Sequence, residues 1–177
     1  MEGRNIALIG FRATGKTEVG KALGEKLGRV FMDMDRHLQA CAGRDIACWV
    51  RSDGWESFRR AESELLGALG EKRGLVVATG GGVVCDPANR EILKNKFFTV
   101  WLTATSGTII SRMRGDLQSG STRPPLTDLP MMEEIEKLLD ERARFYSQSA
   151  DLVLETDGAE IEGLVNRIVG AADRFQR

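Results

Sequence analysis

Cysteine, histidine and aromatic residues are scarce in this chain, and long apolar runs are absent. Of 177 residues, three are Cys (Cys41, Cys48, Cys85) and one is His (His37). No two cysteines form a CxxC pair and the count is odd, which speaks against a disulfide framework. A single His builds no zinc site on its own. Aromatics make up 6% and do not interleave with basic runs, so the stacking platform of a single-strand nucleic-acid binder is missing. Lys plus Arg number 25 against 26 Asp plus Glu, a net charge of −1 that removes the broad cationic footprint of a nucleic-acid or anionic-membrane binder. No apolar run approaches the roughly 20 residues needed to span a bilayer. Residues 1–5 lead straight into a short apolar segment, without the apolar core of a secretion signal. The expectation is a cytoplasmic protein of one domain over residues 1–177, with no nucleic-acid or membrane partner and nothing that demands more than a monomer.

What is abundant is arginine: 18 of the 25 basic residues are Arg and 7 are Lys. Source composition alone accounts for such a bias. A sharper reason is that Arg binds carboxylate or phosphate bidentately, as Lys does not.

Short apolar runs at residues 5–10, 29–32, 75–78, 97–102 and 151–155 read as strands. Helical periodicity separates them. One apolar face is made by Val19, Ala22, Leu23 and Leu27, and a second by Phe58, Ala61, Leu65 and Leu69. A third carries Met131, Ile135, Leu138, Leu139 and Tyr146, and a fourth Ile161, Leu164, Val165 and Ile168. Strands alternating with helices predict an α/β fold whose mostly parallel sheet is flanked by helices, with ligands held at the carboxyl ends of the strands. Residues 115–128, with two Gly, four Ser/Thr and Pro124-Pro125, read as a long loop of the kind that serves as a lid.

Gly10-Phe11-Arg12-Ala13-Thr14-Gly15-Lys16-Thr17 matches G-x-x-x-x-G-K-[ST], after a strand and before an amphipathic helix. In such a loop backbone N–H groups converge on an anion and the helix N-terminus adds partial positive charge. Lys16 reaches the β- and γ-phosphates, and the Thr17 hydroxyl is placed for Mg²⁺. The chain is therefore expected to bind a nucleoside triphosphate.

Asp33 and Asp35 follow at i and i+2 at the end of the second strand, where alternation puts both on one face. One carboxylate would hold the metal's water shell and the other accept a proton from a substrate hydroxyl. The alternatives are a solvated pair, or Asp35 capping the next helix. Arg59 has Glu62 at i+3 to orient it, which is also the pattern of an ordinary helix ion pair. Arg142 lies on an apolar stripe, four residues after Leu138 and four before Tyr146. There a buried acid or a bound anion is expected to satisfy it. Gly80-Gly81-Gly82 follow a strand and allow close backbone approach to a ligand. Arg123, before Pro124-Pro125 in the expected lid, is placed to close over a γ-phosphate. Arg112 or Arg114, just before that loop, could stack on an adenine ring.

Taken in order, residues 10–17, Asp33-Met34-Asp35, Phe58-Arg59-Arg60-Ala61-Glu62, Gly80-Gly81-Gly82, Arg123-Pro124-Pro125-Leu126 and Arg142-Ala143-Arg144-Phe145-Tyr146 resemble the shikimate kinases over about residues 5–155. The resemblance implies a three-layer P-loop kinase fold with a five-stranded parallel sheet, a substrate-binding region at about 33–62 and a lid at about 113–128. It implies transfer of the ATP γ-phosphoryl to the 3-hydroxyl of shikimate. It further implies that Asp35 binds and deprotonates that hydroxyl, that Thr17 and Asp33 hold Mg²⁺, and that Arg59 and Arg142 clamp the carboxylate. Gly81, between Gly80 and Gly82, would contact the ring hydroxyls through its backbone. Lys16 and Arg123 would contact the moving phosphoryl, Arg112 would stack on adenine, and Gly10, Ala13, Thr14 and Gly15 would complete the nucleotide loop. The chain departs from the family pattern at Ala13, where Gly is usual, and in the lid, which reads RPPL. A gluconate kinase of the same fold and a non-catalytic nucleotide-binding homologue are the competing readings. Retention of Lys16, Asp33, Asp35 and Arg123 speaks against the second.

Overall fold

Apolar runs too short for helices, and buried on both faces, become the strands of a parallel sheet. The computed structural model describes residues 4–118 and 130–175. In chain order the elements are β1 (Asn5–Ile9), α1 (Lys16–Leu27), β2 (Val30–Asp33), α2 (Met34–Ala42), α3 (Ile46–Gly70) and β3 (Leu75–Ala78). After a 3₁₀ turn at Val83–Cys85 come α4 (Pro87–Lys96), β4 (Phe97–Thr103), α5 (Ser106–Gln118), α6 (Met131–Ser149), β5 (Leu152–Glu155) and α7 (Ile161–Phe175). The five strands pair in the order β2-β3-β1-β4-β5, all parallel. The expected three-layer α/β architecture is therefore present.

Central β1 is buried along its whole length. Its alternation divides the core. Ile6 and Leu8 pack with Val19 and Leu23 of α1 and Leu164, Val165 and Ile168 of α7. Ala7 and Ile9 face the opposite layer, with Leu66 and Leu69 of α3, Leu93 of α4 and Tyr146 of α6. A smaller cluster of Leu38, Ile46 and Phe58 joins α2 to α3 above the sheet edge. No helix among the described residues is long and apolar enough to cross a membrane.

The expected strand limits shift by about one residue: 29–32 becomes Val30–Asp33, and 97–102 extends to Thr103. Periodicity alone missed α2, α4 and α5, which start from caps rather than long apolar stripes. Asp33 accepts from Arg36 N, Asp86 from Ala88 N and Thr105 Oγ1 from Thr108 N, with Pro87 at the first position of α4. Helix α3 is interrupted at Gly54 (φ 79°, ψ 164°), a conformation that only glycine adopts readily. Residues 113–118 of the expected lid belong to α5. Arg123 and the remaining lid segment through 128 lie outside the described residues.

Candidate active site

The loop after β1 delivers its backbone to the first turn of α1 through Gly15, which sits in the left-handed region at φ 89°. Asp side chains cap α2, α3 and α4, but α1 has no side-chain cap. Its first N–H groups thus point into the loop, where an anionic group would satisfy them. Lys16 Nζ lies inside the loop and donates to the carbonyls of Gly10 (2.9 Å) and Phe11 (2.6 Å), while Thr14 Oγ1 donates to Phe11 O at 2.8 Å. Ala13 holds φ 59°, the one positive φ at a non-glycine among the described residues. Left-handed backbone costs an L-residue about 1–2 kcal/mol, and glycine gives back roughly half of that in chain entropy. Ala13→Gly is therefore expected to stabilise the protein by about 0.5–1 kcal/mol, read as a thermal midpoint raised by a few degrees.

Asp33 and Asp35 do not share a strand face, because β2 ends at Asp33 and Asp35 already lies in the first turn of α2. Asp33, not Asp35, is the helix cap. Its Oδ1 accepts from Arg36 N at 3.1 Å, and its Oδ2 accepts from Thr17 Oγ1 at 2.7 Å. The strand-to-helix turn sends Asp33 toward the nucleotide loop and Asp35, 7% exposed, into the adjoining cleft.

That cleft is bounded by Phe11 and Arg12 of the loop, Asp35, Arg59 and Glu62, Gly80 to Gly82, and Arg142. Arg59 Nη1 donates to Glu62 Oε2 at 2.5 Å and its guanidinium lies over the rings of Trp55 (5.2 Å) and Phe58 (5.5 Å). The expected i, i+3 pair is thus present, with Glu62 fully buried rather than solvated. The glycines are required by close approach. A Cβ at Gly80 would land on Glu62 Oε1, with Asp35 Oδ1 at 3.1 Å, and one at Gly82 would land on the Arg59 guanidinium. Gly80 therefore lets two carboxylates stand side by side, and Gly82 admits the arginine.

Among the described residues no acid pairs with Arg142, so of the two partners expected on its apolar stripe an anionic ligand is the one that remains. Arg142 Nη1 donates to Gly81 O at 3.3 Å and its guanidinium lies 5.8 Å from the Phe11 ring centroid. A carbonyl and a π face steady it at lower desolvation cost and leave the charge facing the cleft. The same Gly81 oxygen accepts from Tyr146 Oη at 2.5 Å, and the Tyr146 ring stacks on Trp101 at 5.4 Å. Burial raises the Tyr146 pKa well above 10.0. The folded state keeps its phenolic proton where the unfolded chain would lose it. This stability contribution is therefore complete below about pH 10 and declines as pH rises beyond it. The chain has one Tyr. Tyrosinate absorbance is expected to stay absent through pH 10 and to appear together with unfolding; a reversible transition near pH 10 in folded protein would contradict this.

Arg112 donates to Ala13 O (3.1 Å), Thr156 Oγ1 (3.0 Å) and Thr156 O (2.8 Å), which ties α5 to the nucleotide loop and to the end of β5. Arg114 is exposed. Asp157 beside Thr156 has its pKa lowered, chiefly by the hydroxyls of Thr108 and Thr105. Two residues escaped the sequence reading: Arg12, which lines the cleft, and its partner Glu134 at the start of α6, paired at 2.9 Å. Glu134 precedes Leu138 by four and Arg142 by eight, so the reasoning that singled out Arg142 as a charge on an apolar stripe applied to it as well.

The sequence model of one protein family, described as shikimate kinase, matches residues 12–173. A curated shikimate kinase of Symbiobacterium thermophilum is 38% identical over 165 residues, covering 93% of this chain and 94% of that protein. Among solved structures, a shikimate kinase from Acinetobacter baumannii in complex with shikimate superposes with a TM-score of 0.87 at 32% identity, covering 94% of this chain and 91% of that one. A gluconokinase from Sinorhizobium meliloti reaches a TM-score of 0.60 at 15% identity, covering 99% and 94%, a likeness of fold alone.

Proposed function

That the chain belongs to the shikimate kinase family is the premise from which we propose its function: transfer of the ATP γ-phosphoryl to the 3-hydroxyl of shikimate, giving shikimate 3-phosphate and ADP in aromatic amino acid biosynthesis. The observation that carries the reading is a single cleft in which a carboxylate (Asp35) and two guanidiniums (Arg59, Arg142) border the phosphate-binding loop. A small hydroxy acid needs this combination, cations for its carboxylate and a base for the hydroxyl that reacts.

The roles divide by position. Arg59, pre-oriented by Glu62 and the two rings, and Arg142, steadied on Gly81 O, hold the shikimate carboxylate. Gly81 spends its carbonyl on two α6 donors, so its contact with the ring hydroxyls falls to its N–H. Gly80 and Gly82 keep Asp35 and Arg59 close to the substrate. Asp35 accepts the proton of the 3-hydroxyl as its oxygen attacks the γ-phosphorus and the bond to the β-phosphate oxygen breaks, leaving ADP. Lys16 and the uncapped N–H groups of α1, with Gly10, Ala13, Thr14 and Gly15, cradle the phosphates. Arg123 is assigned to the moving phosphoryl by its motif, and Arg112 to the adenine side of the loop.

Thr17 and Asp33 fit Mg²⁺. They form a hard-oxygen pair at 2.7 Å, and among the described residues no cluster of three or more His, Cys, Asp or Glu suits a softer or fully protein-ligated metal. Mg²⁺ held there, with Asp33 acting through water, would neutralise charge on the β- and γ-phosphates. Residues 1–177 act on this reading as one cytoplasmic, monomeric functional domain. A coupled ADP assay with shikimate, gluconate and nucleoside monophosphates as acceptors tests substrate class: turnover with shikimate is expected, and preference for either other acceptor would overturn it.

A further inference from the structure

Arg12 and Glu134 stand out because the division of roles above does not use them. Arg12 belongs to the nucleotide loop and lines the substrate cleft; Glu134 lies in the first turn of α6, the helix that later supplies Arg142 and Tyr146. Arg12 Nη2 and Glu134 Oε1 are 2.9 Å apart, and the side chains are 14% and 2% exposed. The guanidinium also lies 5.6 Å from the Phe11 ring centroid. Ile135 and Leu138 of α6 pack on Phe11 in the same cluster.

Burying a charge pair is costly, and an apolar pair of similar volume would often stabilise as well or better. What an apolar pair lacks is direction: the planar guanidinium fork fixes one geometry. The pair anchors α6 at its start, and Arg142 and Tyr146 anchor it about 12 Å further along on Gly81. Helix α6 is thus strapped across both loops that border the cleft, the phosphate loop at one end and the triple glycine at the other.

We propose that Arg12 and Glu134 are positioning residues acting as one unit, which sets the register of α6 against the phosphate-binding loop and thereby the reach of Arg142 toward the substrate. The proposal rests on the reading of Arg142 as a carboxylate clamp. The pair holds the acid-binding end of the site at a fixed distance from the phosphoryl-transfer end.

A double-mutant cycle in the full-length enzyme tests it, with Arg12→Met, Glu134→Gln and the double variant, read as KM for shikimate, KM for ATP, kcat and thermal midpoint. Glu134→Gln keeps volume and an acceptor for Arg12, so it supplies a folded variant even where Arg12→Met is poorly stable. Each single change is expected to raise the shikimate KM about tenfold with the ATP KM within about twofold, and the double variant to be no worse than either single. Arg12→Lys, which keeps the charge but not the fork, is expected to recover part of the loss. A hundredfold rise in the double variant would overturn the proposal by making the two residues independent. So would a lowered thermal midpoint with unchanged KM values, the mark of a merely structural pair. Arg142→Ala, measured alongside, separates the premises: no change there removes the clamp itself, whereas a large change there with unaffected Arg12 and Glu134 variants removes only the positioning role.

Discussion

Asp35→Asn is expected to lower kcat by roughly 10²–10⁴-fold while ATP affinity stays within about twofold of the parent. The asparagine has the same shape, so the packing around Gly80 and the first turn of α2 are kept, and only the ability to take a proton is lost. The side chain is 7% exposed and stands beside Gly80 in the cleft. Lys16 and Thr17, assigned above to the nucleotide, belong to a different loop and make their contacts with Gly10, Phe11 and Asp33. Rate and nucleotide binding should therefore separate cleanly. Single-turnover rates give the first, calorimetric titration with ATP gives the second, and near-normal turnover would remove Asp35 as the base.

Arg142→Ala is the companion case on the binding side. Its loss is expected to weaken shikimate binding by about 2–4 kcal/mol, roughly 30–1,000-fold in KM, because a desolvated carboxylate is left short of one cation. The Gly81 carbonyl keeps its bond from Tyr146, so the triple-glycine loop should hold its place and the thermal midpoint should fall little. An unchanged shikimate KM would show that Arg142 serves only to hold Gly81.

The parts of this site that could be read from the chain are those in which a local signal and a local structure coincide. The nucleotide loop is continuous in sequence and sits between one strand and one helix. Arg59 and Glu62 are one turn apart on a single helix, and the three glycines follow directly on β3. The sheet was legible because short doubly buried runs have few other uses. The shared strand face expected for Asp33 and Asp35 was wrong: the capping bond from Arg36 N to Asp33 ends the strand two residues earlier than alternation assumed. The partners of Arg142 were not legible. They are a backbone carbonyl 61 residues away and a ring contributed by the nucleotide loop, and neither leaves a pattern in side-chain type. The Arg12–Glu134 pair, separated by 122 residues, was hidden for the same reason. Helices α2 and α4 were missed because their starts are written in single capping aspartates, a signal weaker than periodicity unless looked for specifically.

Identification of the product bears most directly on the central claim. Incubation of the protein with ATP, Mg²⁺ and shikimate, followed by phosphorus and proton NMR, is expected to show one new phosphomonoester coupled to the proton on C3 of shikimate, in amount equal to the ADP formed. ADP without phosphorylated shikimate, or phosphate on a different hydroxyl, would contradict the assignment of this cleft and of Asp35 within it.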